Sequence, residues 1–189
     1  MIGQVLVFVA GTLLTLAVVF FGRRRTGYSH IRNTISELGE QFSKDAQLVN
    51  FGVFLPVGIL CALSVFINSN FPDALENKLI DSTYYLGLSI ATGYIVCAFF
   101  PCDPGAPFPG SWKNVIHNFG GGVMYVGAAA SLWYMSKMTN TGQWGNAVLI
   151  SCSVIVGLAI IFLSFPNKYR GLVQRVVEIL LFVTLFSYI

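Results

Sequence analysis

Apolar residues fill six runs of this chain, and polar residues gather in the segments between them. Each run approaches the roughly 20 residues that an α-helix needs to cross a bilayer. The runs are continuously apolar rather than alternating, which favours helices over the strands of a membrane barrel. The pattern therefore predicts six membrane-spanning helices, at Gly3–Phe21, Asn50–Ile67, Tyr84–Phe100, Val115–Met135, Gly145–Phe165 and Gly171–Ile189.

The connection after the first run has a periodicity of its own. Its apolar residues Ile31, Ile35, Leu38 and Phe42 recur at helical spacing, with polar residues on the other faces. Such a pattern is typical of an amphipathic helix at the membrane interface. The expected fold is therefore all-α: a polytopic integral membrane protein whose single domain is a six-transmembrane-helix bundle with one amphipathic interfacial helix.

The third connection and the span after it are unusual in composition. Residues 100–110 contain four prolines and two glycines, which exclude a helix and predict a fixed, non-helical backbone around Asp103. The fourth span carries three consecutive glycines at 120–122. Small residues of this kind indicate either close helix packing or room for a lipid chain or ligand beside the helix.

Composition supports the membrane assignment. The chain is 55% hydrophobic and 10% charged, whereas soluble domains carry about 25% charged residues. Nine of the eleven Lys and Arg residues belong to the side of the first, third and fifth connections, counting Arg175 near the start of the sixth run, and only Lys78 and Lys137 belong to the second and fourth connections. Cytoplasmic connections are usually the basic ones, so both termini should lie on the non-cytoplasmic side. No basic patch is interleaved with aromatic residues, so we expect no nucleic-acid partner.

The first run resembles a signal peptide in length only. Its basic cluster follows the apolar run instead of preceding it, and no small-residue cleavage pattern is evident. We therefore interpret it as an uncleaved first helix of a multi-pass cell-membrane protein, in a prokaryotic inner membrane. The four cysteines include no C-x-x-C pair and are expected to be reduced.

Charged residues inside the sixth run are the first indication of a functional site. Arg175 and Glu178 lie one helical turn apart in an otherwise apolar segment. A charged side chain at that depth costs roughly 3 kcal/mol, so Glu178 should face the bundle interior. Either the two residues pair and set helix packing, or they line a polar cavity open to the cytoplasm. Arg170 is an alternative partner for Glu178.

A second group of candidates surrounds the third connection. His117 and Asn118 begin the fourth span shortly after Asp103, and an imidazole there can exchange a proton near neutral pH. Ser36, His117 and Asp103 supply the residue types of a hydrolytic triad, although no G-x-S-x-G elbow surrounds the serine. His30 joins this group only if the first connection folds back.

Metal binding is a weaker alternative. His30, His117, Asp103 and Glu37 are suitable ligand types but lack the spacing of a known zinc motif. We expect no metal and no cofactor. The candidate catalytic residues are Asp103, His117 and Ser36, and the candidate ligand-binding residues are Glu37, Arg170, Arg175, Glu178, Asn118 and His30.

Four short motifs occur in a set order along the chain. Residues 28–39 read YSHIRNTISELG, residues 100–103 read FPCD, residues 117–118 read HN, and residues 170–178 read RGLVQRVVE. With the six spans, this set resembles domain-of-unknown-function family 998, whose six-span, mostly prokaryotic members have no agreed reaction. The layout is more faintly similar to DRAM and Sfk-type proteins and to proteins that remodel GPI-anchor lipids. Their Ser-Asp-Gly turn corresponds to Ser36-Glu37-Leu38 here, and this similarity implies handling of lipids.

These features together predict a cytoplasm-facing polar pocket that binds or processes a lipid head group or a small anionic ligand. Arg170 and Arg175 would hold the anion, while Asp103 and His117 would orient it or transfer protons. The expected partners are membrane lipids. The alternatives are an intramembrane hydrolase or transferase using Ser36 or a metal, a non-catalytic structural or sensory subunit, and a small transporter.

Overall fold

Six helices account for most of the residues that the structure describes. The computed structural model describes residues 1–68, 82–138 and 142–189, and these ranges contain helices but no strand. In chain order the helices are α1 Ile2–Arg24, α2 Ala46–Asn68, α3 Ser82–Phe99, α4 Trp112–Met138, α5 Gly142–Ser164 and α6 Arg170–Tyr188. The predicted all-α fold is confirmed. Lys78, one of the two cations assigned to the even connections, lies outside the described residues.

The helices have the length and apolar character of the helices in a multi-pass membrane protein. Five of the six described helices are long and apolar enough to cross a membrane. The remaining one, α4, has 27 residues but is less apolar, because it contains a glycine triplet and several polar side chains. Large apolar side chains cover the outside of the bundle, including Phe8, Leu16, Val126, Leu158, Ile161 and Val183. A surface of that kind suits hydrocarbon rather than water.

The helices pack around the bundle in chain order. Each of α1 to α4 contacts the next helix, and α6 closes the ring between α5 and α1 while also touching α3. Fully buried side chains such as Val57, Ile90, Leu132 and Leu181 form the core. The contacts of α6 with its neighbours are less extensive than those among the other helices, so spaces remain on both of its sides.

The glycine triplet of α4 serves both of the purposes that its sequence indicated. A Cβ atom on Gly120 would lie 2.5 Å from the Val96 side chain, so this glycine allows α3 and α4 to approach closely. A Cβ atom on Gly121 or Gly122 would meet nothing within 4 Å. These two glycines instead line a cavity beside α4.

The predicted amphipathic helix after the first span is wrong. Residues 25–45 form turns around a single 3₁₀ turn, Ser36–Gly39. Leu38 is buried as the pattern required, but Phe42 is 93% exposed and has a positive φ of 67°. The cause is that backbone carbonyls of this segment are bonded to α6: the Arg175 guanidinium binds the His30 and Asn33 carbonyls. A helix would use these carbonyls in its own hydrogen-bond ladder.

Candidate functional site

Three connections meet at one end of the bundle, which we call the loop end; it comprises residues 25–45, 100–111 and 165–169. The Gln41 backbone N–H donates to the Cys102 carbonyl at 2.8 Å, joining the first connection to the third. The Leu172 backbone N–H donates to the Ile31 carbonyl at 3.0 Å, joining the start of α6 to the first connection. The first connection is therefore hydrogen-bonded both to the third connection and to the start of α6, and these segments form a layer over the helix ends.

The acidic residues of the first connection maintain this layer. Glu37 is buried and accepts hydrogen bonds from the Thr34 hydroxyl at 3.1 Å and the Asn33 amide at 2.6 Å. Glu40 pairs with Arg25 at 2.5 Å and accepts a bond from the Gly105 N–H at 3.0 Å. Glu37, a predicted ligand-binding residue, therefore uses its carboxylate within its own connection.

Arg175 is held by the same connection. Its guanidinium donates to the His30 carbonyl at 2.8 Å, the Asn33 carbonyl at 2.9 Å and the Tyr28 hydroxyl at 2.6 Å. The described residues show no ion pair between Arg175 and Glu178. The interpretation of these two residues as partners is therefore wrong. Backbone carbonyls and the Tyr28 hydroxyl occupy the terminal nitrogens of this guanidinium, although its buried Nε has no partner, and these bonds attach the first connection to α6.

The surroundings of Arg175 favour the neutral forms of its neighbours His30 and Tyr28. Partial burial, followed by the positive charges of Arg175 and Arg23, lowers the pKa of His30. The neutral ring can then accept the 3.2 Å contact that Arg175 makes with its Nδ1 atom. Burial raises the pKa of Tyr28, and the Arg175 charge opposes that effect in part. Arg175 thus provides the positive charge of this cluster.

Asp103 organises the third connection. Its carboxylate accepts bonds from the Ser111 hydroxyl and backbone N–H, both at 2.6 Å, and from the Gln41 amide at 2.6 Å. The bonds from Ser111 lower the pKa of Asp103. Buried Asn114 accepts a bond from the Asp103 backbone N–H at 3.0 Å and donates to the Pro107 carbonyl at 2.6 Å. The non-helical backbone predicted around Asp103 is therefore confirmed, and side chains fix it.

His117 is not hydrogen-bonded to Asp103. Its Nδ1 atom lies 2.8 Å from the Phe100 carbonyl, which assigns the ring proton to Nδ1. Its Nε2 atom lies 3.6 Å from the Cys97 sulfur. The hydrogen bonds that would link Ser36, His117 and Asp103 as a hydrolytic triad are absent from the described residues.

A polar cavity of about 200 Å³ lies beneath the loop end, between α3, α4, α5 and α6. Five of the predicted site residues line it, namely Ser36, His117, Asn118, Arg170 and Glu178. His30 and Arg175 instead border a separate apolar groove of about 680 Å³ between α1 and α6, and Glu178 reaches both spaces. The predicted set of residues is thus divided across the two sides of α6.

Glu178 is held at the inner end of the polar cavity by two tyrosines. The Tyr94 hydroxyl donates to one carboxylate oxygen at 2.7 Å, and the Tyr125 hydroxyl donates to the other at 2.8 Å. The Gln174 amide adds a 3.4 Å contact to the Tyr125 hydroxyl. Sequence reasoning missed all three neighbours. Tyrosines in the middle of apolar spans were the available signal, because a buried phenol needs a polar partner.

Arg170 lies at the loop end of the same cavity and is loosely held. Its guanidinium donates to the Gly105 carbonyl at 3.5 Å and the Ala106 carbonyl at 3.3 Å, and its buried Nε has no partner. In residues 1–68, 82–138 and 142–189 the ion pairs are Arg24–Asp45 and Arg25–Glu40. Arg170 therefore has no protein carboxylate to neutralise it within the described chain.

The four candidate metal ligands are engaged in separate places. Within the described ranges, no three His, Cys, Asp or Glu side chains are grouped so that they could hold a metal ion. The Glu37 carboxylate is bonded inside the first connection, and His30 lies beside Arg175. The structure thus gives no geometric support to a metal centre formed by those side chains.

Comparison with known proteins assigns the chain to a family. The sequence model of the family described as "Protein of unknown function (DUF998)" matches residues 8–188, nearly the whole chain. No curated protein and no solved structure matches the chain. The fainter similarity to DRAM-type, Sfk-type and lipid-remodelling proteins therefore gains no support. The ordered motifs and the helical bundle agree with the family match: the chain belongs to the DUF998 family.

Proposed function

We propose that this protein binds the phosphate of a membrane-lipid head group in the polar cavity, with Arg170 as the anion contact. One observation carries the proposal: Arg170 lines the cavity with two long hydrogen bonds and a buried Nε without a partner, and it forms no ion pair with a carboxylate of the described residues. A guanidinium binds phosphate through paired N–H donors. The candidate membrane span α6 begins at Arg170, which supports a position for this group near the head groups of a surrounding bilayer.

The other cavity residues have supporting roles in this proposal. Asn118 and Ser36 line the cavity and offer neutral donors that can orient the phosphate oxygens. The distribution of Lys and Arg supports a cytoplasmic position for the loop end. The ligand would accordingly enter from the inner leaflet.

Catalysis at Ser36 has less support. The serine lines the cavity with His117, but the histidine directs its Nδ1 to the Phe100 carbonyl and its Nε2 to the Cys97 sulfur. A general base must reach the proton that it removes. The geometry therefore favours binding over hydrolysis, and it gives Arg175 a packing role rather than an anion-binding one.

The test compares Arg170→Gln with Arg32→Gln, which removes the same charge from an exposed position in the first connection. Delipidated protein would be titrated with a phosphate-bearing lipid, phosphatidylglycerol, and bound lipid would be counted by native mass spectrometry. Loss of charge-assisted hydrogen bonds worth about 1.5–3 kcal/mol corresponds to about 10- to 150-fold weaker binding.

The Arg32→Gln control should bind lipid like the unmodified protein. Arg170→Gln should also keep its thermal stability, since the residue makes only long hydrogen bonds to the protein. Lipid affinity that is equal in the two variants and the unmodified protein would refute the proposal.

A further inference from the structure

Two opposite charges border the polar cavity at different depths. Arg170 is the first residue of α6, and Glu178 lies eight residues further along the same helix. At 1.5 Å per residue this separation is about 12 Å along the helix axis. Side chains of a helix lean towards its start, and because Arg170 and Glu178 both do so, the axial separation of their charged groups stays at about 12 Å. A ligand in this cavity therefore meets a cation near the loop end and an acid below it.

Among the described residues, no cation pairs with the acid. Both Glu178 oxygens accept bonds from tyrosine hydroxyls, the arrangement that an ionised, acceptor-only carboxylate makes. Each oxygen retains a further lone pair, because a carboxylate has about four acceptor sites in all. The ion pairs formed by the described residues, Arg24–Asp45 and Arg25–Glu40, leave Glu178 without a positive partner. A buried carboxylate that lacks a cation is suited to receive one from a ligand.

Aromatic rings surround the same end of the cavity. Phe54, Tyr94 and Tyr125 line it beside Glu178, and the Phe54 and Tyr94 ring centroids are 5.9 Å apart. The faces of aromatic rings attract cations, and an adjacent carboxylate adds to that attraction. The inner end of the cavity thus combines the two features that recognise an ammonium group.

We infer that the ligand is a zwitterion of the phosphoethanolamine class, with its phosphate at Arg170 and its primary ammonium at Glu178. The inference rests on the proposed function and adds the amine to it. The cavity, at about 200 Å³, has the volume of about six water molecules at 30 Å³ each, which suits a phosphate joined to a two-carbon amine. A primary ammonium carries three N–H donors for the free lone pairs of Glu178, whereas a quaternary ammonium carries none.

The experiment measures binding of three phospholipids with identical acyl chains: phosphatidylethanolamine, phosphatidylcholine and phosphatidylglycerol. The unmodified protein should bind phosphatidylethanolamine at least tenfold more tightly than phosphatidylglycerol. Glu178→Gln should abolish that preference by lowering the affinity for phosphatidylethanolamine to the level of phosphatidylglycerol. The control Asp45→Asn removes a carboxylate that pairs with Arg24 at the same end of the bundle, and it should keep the preference.

The two proposals fail in different ways. If the unmodified protein binds phosphatidylglycerol as tightly as phosphatidylethanolamine, and Arg170→Gln weakens both, the zwitterion inference is overturned and the phosphate proposal remains. If Arg170→Gln weakens neither, both proposals are overturned. A preference that persists in Glu178→Gln also overturns the inference, because the amine would then be recognised elsewhere.

A measurement on the unmodified protein keeps the inference testable if Glu178→Gln does not fold. Successive N-methylation of the ethanolamine head group removes N–H donors one at a time, so affinity should fall stepwise from ethanolamine to choline. Equal affinity across the series would overturn the inference. Displacement of bound lipid by soluble phosphoethanolamine would assign the cavity to the free compound, and retention of the lipid would assign it to the lipid; either result requires the same zwitterion.

Discussion

Replacing Gly171 by alanine should detach the first connection from α6. A Cβ atom at this position would lie 2.2 Å from the Asn33 carbonyl oxygen and 2.8 Å from the His30 carbonyl oxygen. Both obstacles are backbone atoms of the layer that Arg175 holds, so no side-chain rotation can relieve the contact. The connection must therefore move away from the start of α6.

The expected cost combines two effects. Overpacking at a buried position costs about 1–3 kcal/mol, and a weakened hydrogen bond to a charged group such as Arg175 adds about 1 kcal/mol. The total is roughly 2–4 kcal/mol. For a chain of this size, each kcal/mol shifts Tm by about 2–4 °C, so Tm should fall by about 4–16 °C. Hydrogen exchange should rise first at the Leu172 N–H, which donates to the Ile31 carbonyl.

The matched control is Gly157→Ala in α5, where an added Cβ would meet nothing within 4 Å. This variant should be neutral or slightly stabilising, because alanine is the better helix former. Equal Tm values for Gly171→Ala and Gly157→Ala, measured in the same detergent, would refute the close attachment of the first connection to α6.

Two further predictions concern the loop end. The pKa of His30 is lowered in the folded chain, so the unfolded chain binds a proton first as the pH falls below 6.5, and stability should fall with it. Between about pH 7.5 and about pH 5.5, the Tm of His30→Asn should fall less than the Tm of the unmodified protein. An identical fall in both proteins would contradict the contribution of His30 to this pH dependence. Burial raises the pKa of the Cys102 thiol, and its side chain is fully buried. Maleimide should therefore label Cys102 only after unfolding, as peptide mass spectrometry can detect, and rapid labelling of the folded protein would contradict its placement.

The helices and their assembly into a membrane bundle could be predicted from the sequence, because both depend on the pattern of apolar residues along the chain. Apolar runs of membrane length identify the spans, and the ends differ from the structure by a few residues; α1, for example, continues to Arg24. The cost of burying a charge placed Glu178 in the interior, where it is 4% exposed. The prolines of the third connection correctly excluded a helix there.

The structure of the first connection could not be predicted, because burial of its regularly spaced apolar residues is only one of the interactions that determine it. Tertiary hydrogen bonds from Arg175 to backbone carbonyls of this connection determine a structure of turns. Periodicity does not reveal such bonds. It therefore predicted a helix that would have left these polar groups without their partners.

The partners of Glu178 were missed for a related reason. Counting charges directs attention to Arg175, three residues away, but a carboxylate is also satisfied by neutral hydroxyl groups. Tyr94 and Tyr125 come from spans far away in the sequence, and a tyrosine in an apolar span signals only that its hydroxyl needs a polar partner, not which partner it has. Their convergence depends on how α3, α4 and α6 pack, which a single sequence does not specify.

The most direct measurement of the central claim is a high-resolution map of the protein in a bilayer containing phosphatidylethanolamine. The account predicts non-protein density in the polar cavity, with its phosphate within hydrogen-bond distance of Arg170 and its amine beside Glu178. A cavity that holds only water, with Arg170 paired to a protein carboxylate, would contradict the account.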